Sequence, residues 1–457
     1  MYNRIKQITL AIGDFAMLLA GFFIALAIRY TEIPTRGANG LTYFMLPLFG
    51  LAIVMLFIAG LYDIGKIKND RSLHKRLGMT AAAWVIVAVL FFYTNSATSA
   101  TPKTILILVA IFGFSLIAFW RALYHTFISK SFLSRNLIFV GLAPEALEII
   151  QLLKKQPEHG YQVVGCIVSD QKESLPDEIP SANRLSELLV KIPVGADTII
   201  VSPSMANNTA VLAELYHTLF QQVSVVNLAD FYEEIFDRVP SFVFSAAWFV
   251  TNLHEQQKRI YDRIRILTDC IAALSMVLFF ILTYPLIALL IKLTSRGPVL
   301  FKQIRVGRGA KPFVMYKYRT MKALTTSGSA EVTGPQYAAK NDSRITAVGR
   351  FLRKTRLDEL PQCLNILRGE MSVIGPRPER PEFVNELTKQ MPFYSLRHLI
   401  KPGLTGWAQL QHSYYGTISE NLFKLQYDLF YVKNRGFFLD LAILLRTINI
   451  VIRFMGR

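Results

Sequence analysis

The chain has 457 residues, 52% of them hydrophobic, and a formal net charge of +18. That apolar content excludes an ordinary soluble protein, and the length leaves room for more than one domain. The basic excess points to anionic partners, whether nucleic acid, phosphorylated metabolites or a membrane face, and three cysteines without paired spacing exclude a disulfide framework or a zinc site.

The opening stretch, MYNRIKQITLAIGDFAMLLAGFFIALAIRY, reads as an uncleaved membrane span. Its apolar run is too long for a signal peptide, it contains Asp14, and no small-residue cleavage site follows. Four spans are predicted at residues 8–28, 42–62, 79–95 and 104–123, each near the ~20 residues that a bilayer requires. Together they make residues 1–128 a transmembrane four-helix region. Basic residues gather before span one (Arg4, Lys6), between spans two and three (Lys66, Lys68, Arg71, Lys75, Arg76) and after span four (Arg121, Lys130, Arg135). The positive-inside rule then puts the N-terminus and everything after span four in the cytosol. Asp14 is read either as a helix-packing or snorkelling residue or as a functional charge.

Residues 136–250 read as a small Rossmann-like α/β module. Strand-like runs NLIFVGL, YQVVGCIV, ADTIIVSP and VSVVNL alternate with helical patterns, which suggests a parallel sheet with crossover helices. The first strand-to-helix turn, GLAPEA, has Gly141 alone where a dinucleotide fingerprint needs several glycines, so nucleotide binding there is weakly signalled.

Residues 258–457 follow. A basic entry leads into an apolar segment interrupted by Pro285, with Lys258, Arg259, Arg263 and Arg265 before it and Lys292, Arg296 and Lys302 after it. Charges at both ends and a proline in the middle favour a re-entrant helix–break–helix over residues 266–293. The remainder reads as an α-rich catalytic domain on the membrane surface, ending in an interfacial amphipathic helix, FFLDLAILLRTINIVIRFMGR. In RLDELPQ, Pro361 belongs in a first helical turn, so Asp358 is expected at or beside the N-cap with Glu359 next to it. A cap alone explains one acid. Arg350, Arg353, Lys354 and Arg356 precede the pair, Arg368, Arg377 and Arg380 follow it, and KPFVMYKYRTMK reads as a strand with Lys317 and Arg319 on one face. Two carboxylates inside a cationic anion site fit phosphoryl transfer, through a bridging metal or by direct attack.

KRxxD before a proline-broken apolar helix, GPVLFKQIRVGRGAKPFVMYKYRTM, NDSRIT, RLDELPQCLN, GEMSVIGPRPE and KPGLTGWAQ together resemble the bacterial sugar transferases. These are the monotopic phosphoglycosyl (polyprenyl-phosphate hexose-1-phosphate) transferases, and the layout before the motifs is similar to their large form. The resemblance implies transfer of a sugar-1-phosphate from a UDP-sugar to undecaprenyl phosphate, releasing UMP, as the first step of exopolysaccharide, capsule or O-antigen synthesis. It implies Asp358 as nucleophile, Glu359 as its dyad partner, Lys317, Arg319, Arg353, Arg377 and Arg380 around the phosphates, and Mg²⁺ held by Asp358, Glu359 and Asp428. It further implies membrane lipids rather than nucleic acid as partners, a plausible homodimer, and a multi-pass protein of the bacterial inner membrane with its catalytic domain on the cytosolic face. The KRxxD pattern matches at Lys258–Asp262, with Arg265–Asp269 as an alternative placement and no role assigned to either acid, and Tyr284 stands where the family commonly has serine. Two other readings are a non-catalytic scaffold or sensor for polysaccharide assembly and a nucleotide-dependent oxidoreductase. The lone Gly141 speaks against the second.

Overall fold

The computed structural model describes residues 2–30, 37–62, 71–94, 103–126, 134–168, 179–192, 195–218, 220, 223–322, 342, 344–411 and 417–453. The chain divides into two compact units, Met1–Phe236 and Asp237–Arg457.

In the first unit, helices α1 (Tyr2–Arg29), α2 (Gly37–Ile58), α3 (Arg71–Thr94) and α4 (Lys103–Leu123) carry the four predicted spans. A Cβ added to Gly21 would lie 2.5 Å from the Gly113 Cα, so α1 and α4 meet at backbone distance, as small residues permit in lipid. Asp14 does not snorkel. It is fully buried against Arg121, whose Nη2 lies 2.6 Å away, and the Tyr62 hydroxyl donates to it at 2.7 Å. Arg121 also donates to the Leu61 carbonyl at 2.6 Å, so every charge is paired, as burial requires. Of the basic loop residues used to infer orientation, Lys66, Lys68 and Lys130 lie outside the described residues.

The α/β module of this unit has strands β1 (Arg135–Val140), β2 (Tyr161–Ile167), β3 (Ser181–Ala182), β4 (Thr198–Val201) and β5 (Ser224–Asn227). They pair in the order β3-β2-β1-β4-β5, all parallel. Successive β1 residues face opposite sides of the sheet. Leu137 and Phe139 pack with Ile149, Ile150, Phe231 and Tyr232 of helices α5 (Pro144–Lys155) and α8 (Leu228–Phe236). Ile138 and Val140 pack with Leu188 and Leu215 of α6 (Leu185–Lys191) and α7 (Thr209–Thr218). Both faces are thus covered, as a parallel sheet demands. Gly141 (φ +82°) makes the expected turn, but its carbonyl accepts from Ser202 Oγ at 2.6 Å and a Cβ there would meet Met205 at 2.8 Å. Protein side chains crowd this turn.

The second unit begins earlier than its motifs suggest. Val239 and, within α9 (Ala246–Asn252), Phe249 share a core with Val306, Val384, Leu425 and Leu429. Residues 237–250 therefore belong here, not to the α/β module, because their apolar side chains complete this core.

The expected helix–break–helix is one element, α10 (Arg259–Thr294), continuous through Pro285. Proline removes one backbone donor, which bends a helix without having to end it. Ala273 of α10 packs with Phe313, Met315 and Ile366, and Ile287 and Ile291 pack with Tyr318, Leu352 and Leu360. Both halves of the helix rest on the same unit, while Leu278, Leu282 and Leu293 stay more than 70% exposed.

The hairpin β6 (Leu300–Val306) and β7 (Pro312–Tyr318) is followed by α11 (Ala347–Lys354), α12 (Cys363–Leu367), β8 (Ser372–Ile374), α13 (Pro381–Gln390), β9 (Gly403–Thr405), α14 (Trp407–Gln411), α15 (Ile418–Asn434) and α16 (Phe437–Ile452). In α16 the exposed face is apolar, with Phe438, Leu441, Leu444 and Ile448, while Asp440 and Thr447 on the other side bond to Tyr431 and Thr405, so the helix is two-faced as predicted.

The two KRxxD placements both prove structural. Lys258 donates to the carbonyls of Val432 and Lys433 at 2.7 and 2.8 Å, and Asp262 pairs with Arg435 at 2.9 Å, tying the start of α10 to the end of α15. Asp269 accepts from Ser372 Oγ at 3.0 Å and from Val373 N at 2.9 Å, and Arg265 donates to Ser372 and to the Ile374 carbonyl, fixing β8.

Candidate active site

RLDELPQ does not start an α-helix at Asp358. Residues Leu357–Gln362 form a 3₁₀ turn that runs into α12, and the residue before the turn is Arg356 in the left-handed region (φ +60°). No side chain caps the turn. Asp358 Oδ1 is buried and has no hydrogen-bond partner among the described residues. A capping role for Asp358 is thereby removed. The turn is held in place by Asn365, which donates to the Val314 carbonyl at 2.7 Å and accepts from Tyr316 N at 3.2 Å, stitching α12 to β7.

Glu359 gathers the cations. Lys317 Nζ lies 2.8 Å and Arg377 Nη2 3.0 Å from its Oε1, and Arg356 Nη1 lies 3.3 Å from its Oε2. Burial alone would raise this carboxyl, but Lys317, Arg377 and Arg356 hold it well below the usual carboxylate range. Asp358 goes the other way. Burial, reinforced by the neighbouring Glu359 charge, pushes it up to about 6 against the pull of Lys317, Arg356 and Arg353. Arg353 sits in the last turn of α11 and donates from Nε to Thr320 Oγ1 at 2.9 Å.

The other expected site residues lie elsewhere. Arg319 follows the end of β7 and spends its guanidinium on the carbonyls of Arg296 and Ser295 at 2.7 and 2.8 Å, so it anchors the chain after α10 and does not share the Lys317 role. Arg380 lies 3.5 Å from Glu382 and stacks over Phe383. Asp428, on α15, is buried and bonded to Arg397 (Nη2 at 2.8 Å), and Arg397 in turn donates to the Arg377 carbonyl at 2.8 Å. Asp428 therefore braces the backbone of Arg377. Sequence reasoning missed Arg397, Asn365 and Gln409; the last two stand in quoted motifs, LDELPQCLN and GWAQ, while Arg397 has no local signal.

For Mg²⁺, which takes one or two carboxylates with water and phosphate oxygens, the unpartnered Asp358 Oδ1 fits. Glu359 fits only by releasing one of its three cations, and Asp428, whose Oδ2 Arg397 holds, only by releasing that partner. Among the described residues no group of three or more His, Cys, Asp or Glu side chains is placed to hold a metal.

A family model described as bacterial sugar transferase matches residues 260–454, and one described as CoA-binding domain matches residues 57–212. A UDP-N-acetylgalactosamine-undecaprenyl-phosphate N-acetylgalactosaminephosphotransferase of Aeromonas hydrophila is 40% identical over 213 residues, 45% of this chain and 49% of the relative. The chain thus spans about half the length of that relative. A UDP-glucose:undecaprenyl-phosphate glucose-1-phosphate transferase of Klebsiella pneumoniae is 31% identical over 332 residues, 72% of this chain and 70% of the relative. A protein of the same description from Xanthomonas campestris pv. campestris is 30% identical over 350 residues, 71% and 67%. With two relatives at least 30% identical and matched over 70% and 67% of their length, the chain belongs to the bacterial sugar transferase family.

Proposed function

We propose that this protein transfers a sugar-1-phosphate from a UDP-sugar to undecaprenyl phosphate in two displacements at Asp358. A carboxylate oxygen of Asp358 attacks the β-phosphorus, the bond from that phosphorus to the bridging oxygen breaks, and UMP leaves. The sugar-phosphate then rests on Asp358 as an acyl phosphate. An oxygen of undecaprenyl phosphate attacks the same phosphorus, Asp358 departs as carboxylate, and undecaprenyl-diphosphate-sugar forms. This would be the first committed step of exopolysaccharide, capsule or O-antigen assembly at the cytosolic face of the inner membrane. Basic residues flank both ends of α10, Lys258 and Arg259 before and Lys292 and Arg296 after, which supports a helix bent at Pro285 that keeps both ends on the cytosolic side.

The observation that carries this reading is Asp358 itself: a buried carboxyl oxygen with no partner among the described residues, beside cations that its neighbour Glu359 holds in place. Lys317, Arg353 and Arg377 would take the phosphoryl charge that builds as the bond to UMP breaks. Bound at Asp358, Mg²⁺ would neutralise phosphate oxygens and so lessen their repulsion of the attacking carboxylate. Water exclusion around an 8% exposed nucleophile would protect the acyl phosphate.

Asp358→Asn keeps the shape and removes the nucleophile. Purified protein offered UDP-glucose or UDP-N-acetylgalactosamine with undecaprenyl phosphate should release UMP, and the variant should fall to background and give no phosphosugar adduct by intact-mass analysis. Full transfer by the variant would rule out the covalent route. A wild type inert toward both donors would favour the scaffold reading.

A further inference from the structure

Gln409 stands beside the dyad without an assigned role. Its Oε1 accepts from Arg377 Nη1 at 3.1 Å, while Arg377 Nη2 lies 3.0 Å from Glu359 Oε1. The Arg377 guanidinium is thus fixed between a carboxylate and a carboxamide. The other end of that carboxamide is unused: Gln409 Nε2 is buried and has no hydrogen-bond partner among the described residues. The amide cannot be turned round, since a flip would set its N–H groups against the guanidinium donors. A buried donor left unpaired costs about 1–3 kcal/mol, so its persistence calls for a partner that a ligand supplies.

The chain is built to bring Gln409 there. β8 and β9 pair side by side, and glycines let their continuations touch. A Cβ on Gly403 would lie 2.0 Å from Gly375 N, and one on Gly406 would lie 2.1 Å from the Gly375 carbonyl. Arg377 and Gln409 follow these contacts directly. Trp407, one turn before the end of α14, is buried and donates from Nε1 to the Asp237 carbonyl at 2.9 Å, which fixes the short helix.

We infer that Gln409 is a substrate-binding residue that orients Arg377 through Oε1 and donates from Nε2 to an oxygen of the bound donor diphosphate. The inference rests on the proposed transferase function. Among the described residues, Asp358 Oδ1 and Gln409 Nε2 are buried without a partner, one an acceptor and the other a donor, on either side of the Arg377–Glu359 pair. A phosphoryl group satisfies both, its phosphorus receiving the carboxylate and its oxygen receiving the amide hydrogen.

The test separates orientation from donation. Gln409→Glu keeps an oxygen for Arg377 but replaces the donor with an anion facing the diphosphate. Gln409→Leu removes both functions. UMP release is measured with UDP-N-acetylgalactosamine and with UDP-glucose, and UMP binding is measured by calorimetry on the full-length protein in detergent. Both variants should lose 10-fold or more in kcat/KM and bind UMP or the donor more weakly, with Gln409→Glu at least as impaired as Gln409→Leu and thermal midpoints near wild type. Gln409→Glu with wild-type kcat/KM would overturn donation, and wild-type kinetics in both variants would overturn the inference entirely. A wild type that releases no UMP from either donor would instead sink the transferase reading, and this inference with it.

Discussion

Asp358 and Glu359 are adjacent acids of nearly equal exposure, 8% and 6%, yet their protonation diverges because only one has cationic partners in contact. Glu359 stays ionised and organises Lys317, Arg356 and Arg377. Asp358, raised to about 6, sits where it can switch between acid and nucleophile near neutral pH. On the proposed route only the carboxylate attacks phosphorus, so kcat/KM for UMP release should climb with pH, pass its midpoint near 6 and level off above 7. Lys317 draws the Asp358 value down, so Lys317→Met should move that midpoint to higher pH while lowering the plateau. A profile flat from pH 5 to 8 would remove Asp358 as the titrating group. The same shift has a sign for stability. A raised folded value means that the native state binds more protons than the unfolded state between 3.8 and about 6, so stability falls as pH rises through that window. Asp358→Asn is neutral throughout and should raise the thermal midpoint at pH 7.5 as it abolishes turnover.

Among elements, the strands of the α/β module were legible as short apolar runs, the hairpin strand β7 by its alternation, and α16 by apolar residues recurring at helical spacing. β3 was not, being two residues long. The two adjacent acids among cations were legible, but their conformation was not. Pro361 marks a first turn, yet nothing local reveals that Arg356 adopts φ +60° and that the turn is 3₁₀. The Arg397 pairing of Asp428 was not legible, because Arg397 lies 31 residues away and only tertiary packing joins them. Pro285 was read as a break because proline chemistry permits one, whereas packing of Ile287 and Ile291 against Tyr318 and Leu360 carries the helix past it. The β8–β9 pairing is a further tertiary feature, and it has a sharp test. Gly403→Ala would drive a Cβ to 2.0 Å from backbone that cannot yield, so it should cost about 3 kcal/mol or more and displace Arg377, with lower thermal midpoint and lower UMP release together. Gly436→Ala, whose nearest neighbour would be 3.9 Å away, should shift neither. Equal behaviour of the two variants would show that the close approach is not rigid.

At the scale of the molecule, the point where the second unit begins decides whether the catalytic part can stand alone. The motifs begin at Lys258, which suggests cutting there. The core argues for Asp237. Val239 is fully buried and Phe249 is 4% exposed, both against Val306, Val384, Leu425 and Leu429. The Asp237 carbonyl accepts the Trp407 indole, and Val239 N donates to the Gln426 carbonyl at 3.2 Å. Removing residues 237–257 would uncover a Val and a Phe site, each worth roughly 1.5–3 kcal/mol of burial, and would strip the tie on α14 that positions Gln409. A stability margin of ~5–15 kcal/mol leaves little room for both losses. A chain of residues 237–457 should therefore accumulate in membranes, show a single cooperative melt in detergent and release UMP from a UDP-sugar at a rate within about 10-fold of the full protein. A chain of residues 258–457 should accumulate poorly, melt at a lower temperature and lose most of that rate. Equal yield and activity of the two would mean that the segment before α10 is dispensable to the catalytic fold. Loss of activity in both, with the longer chain folded, would mean that the first unit contributes to the reaction itself.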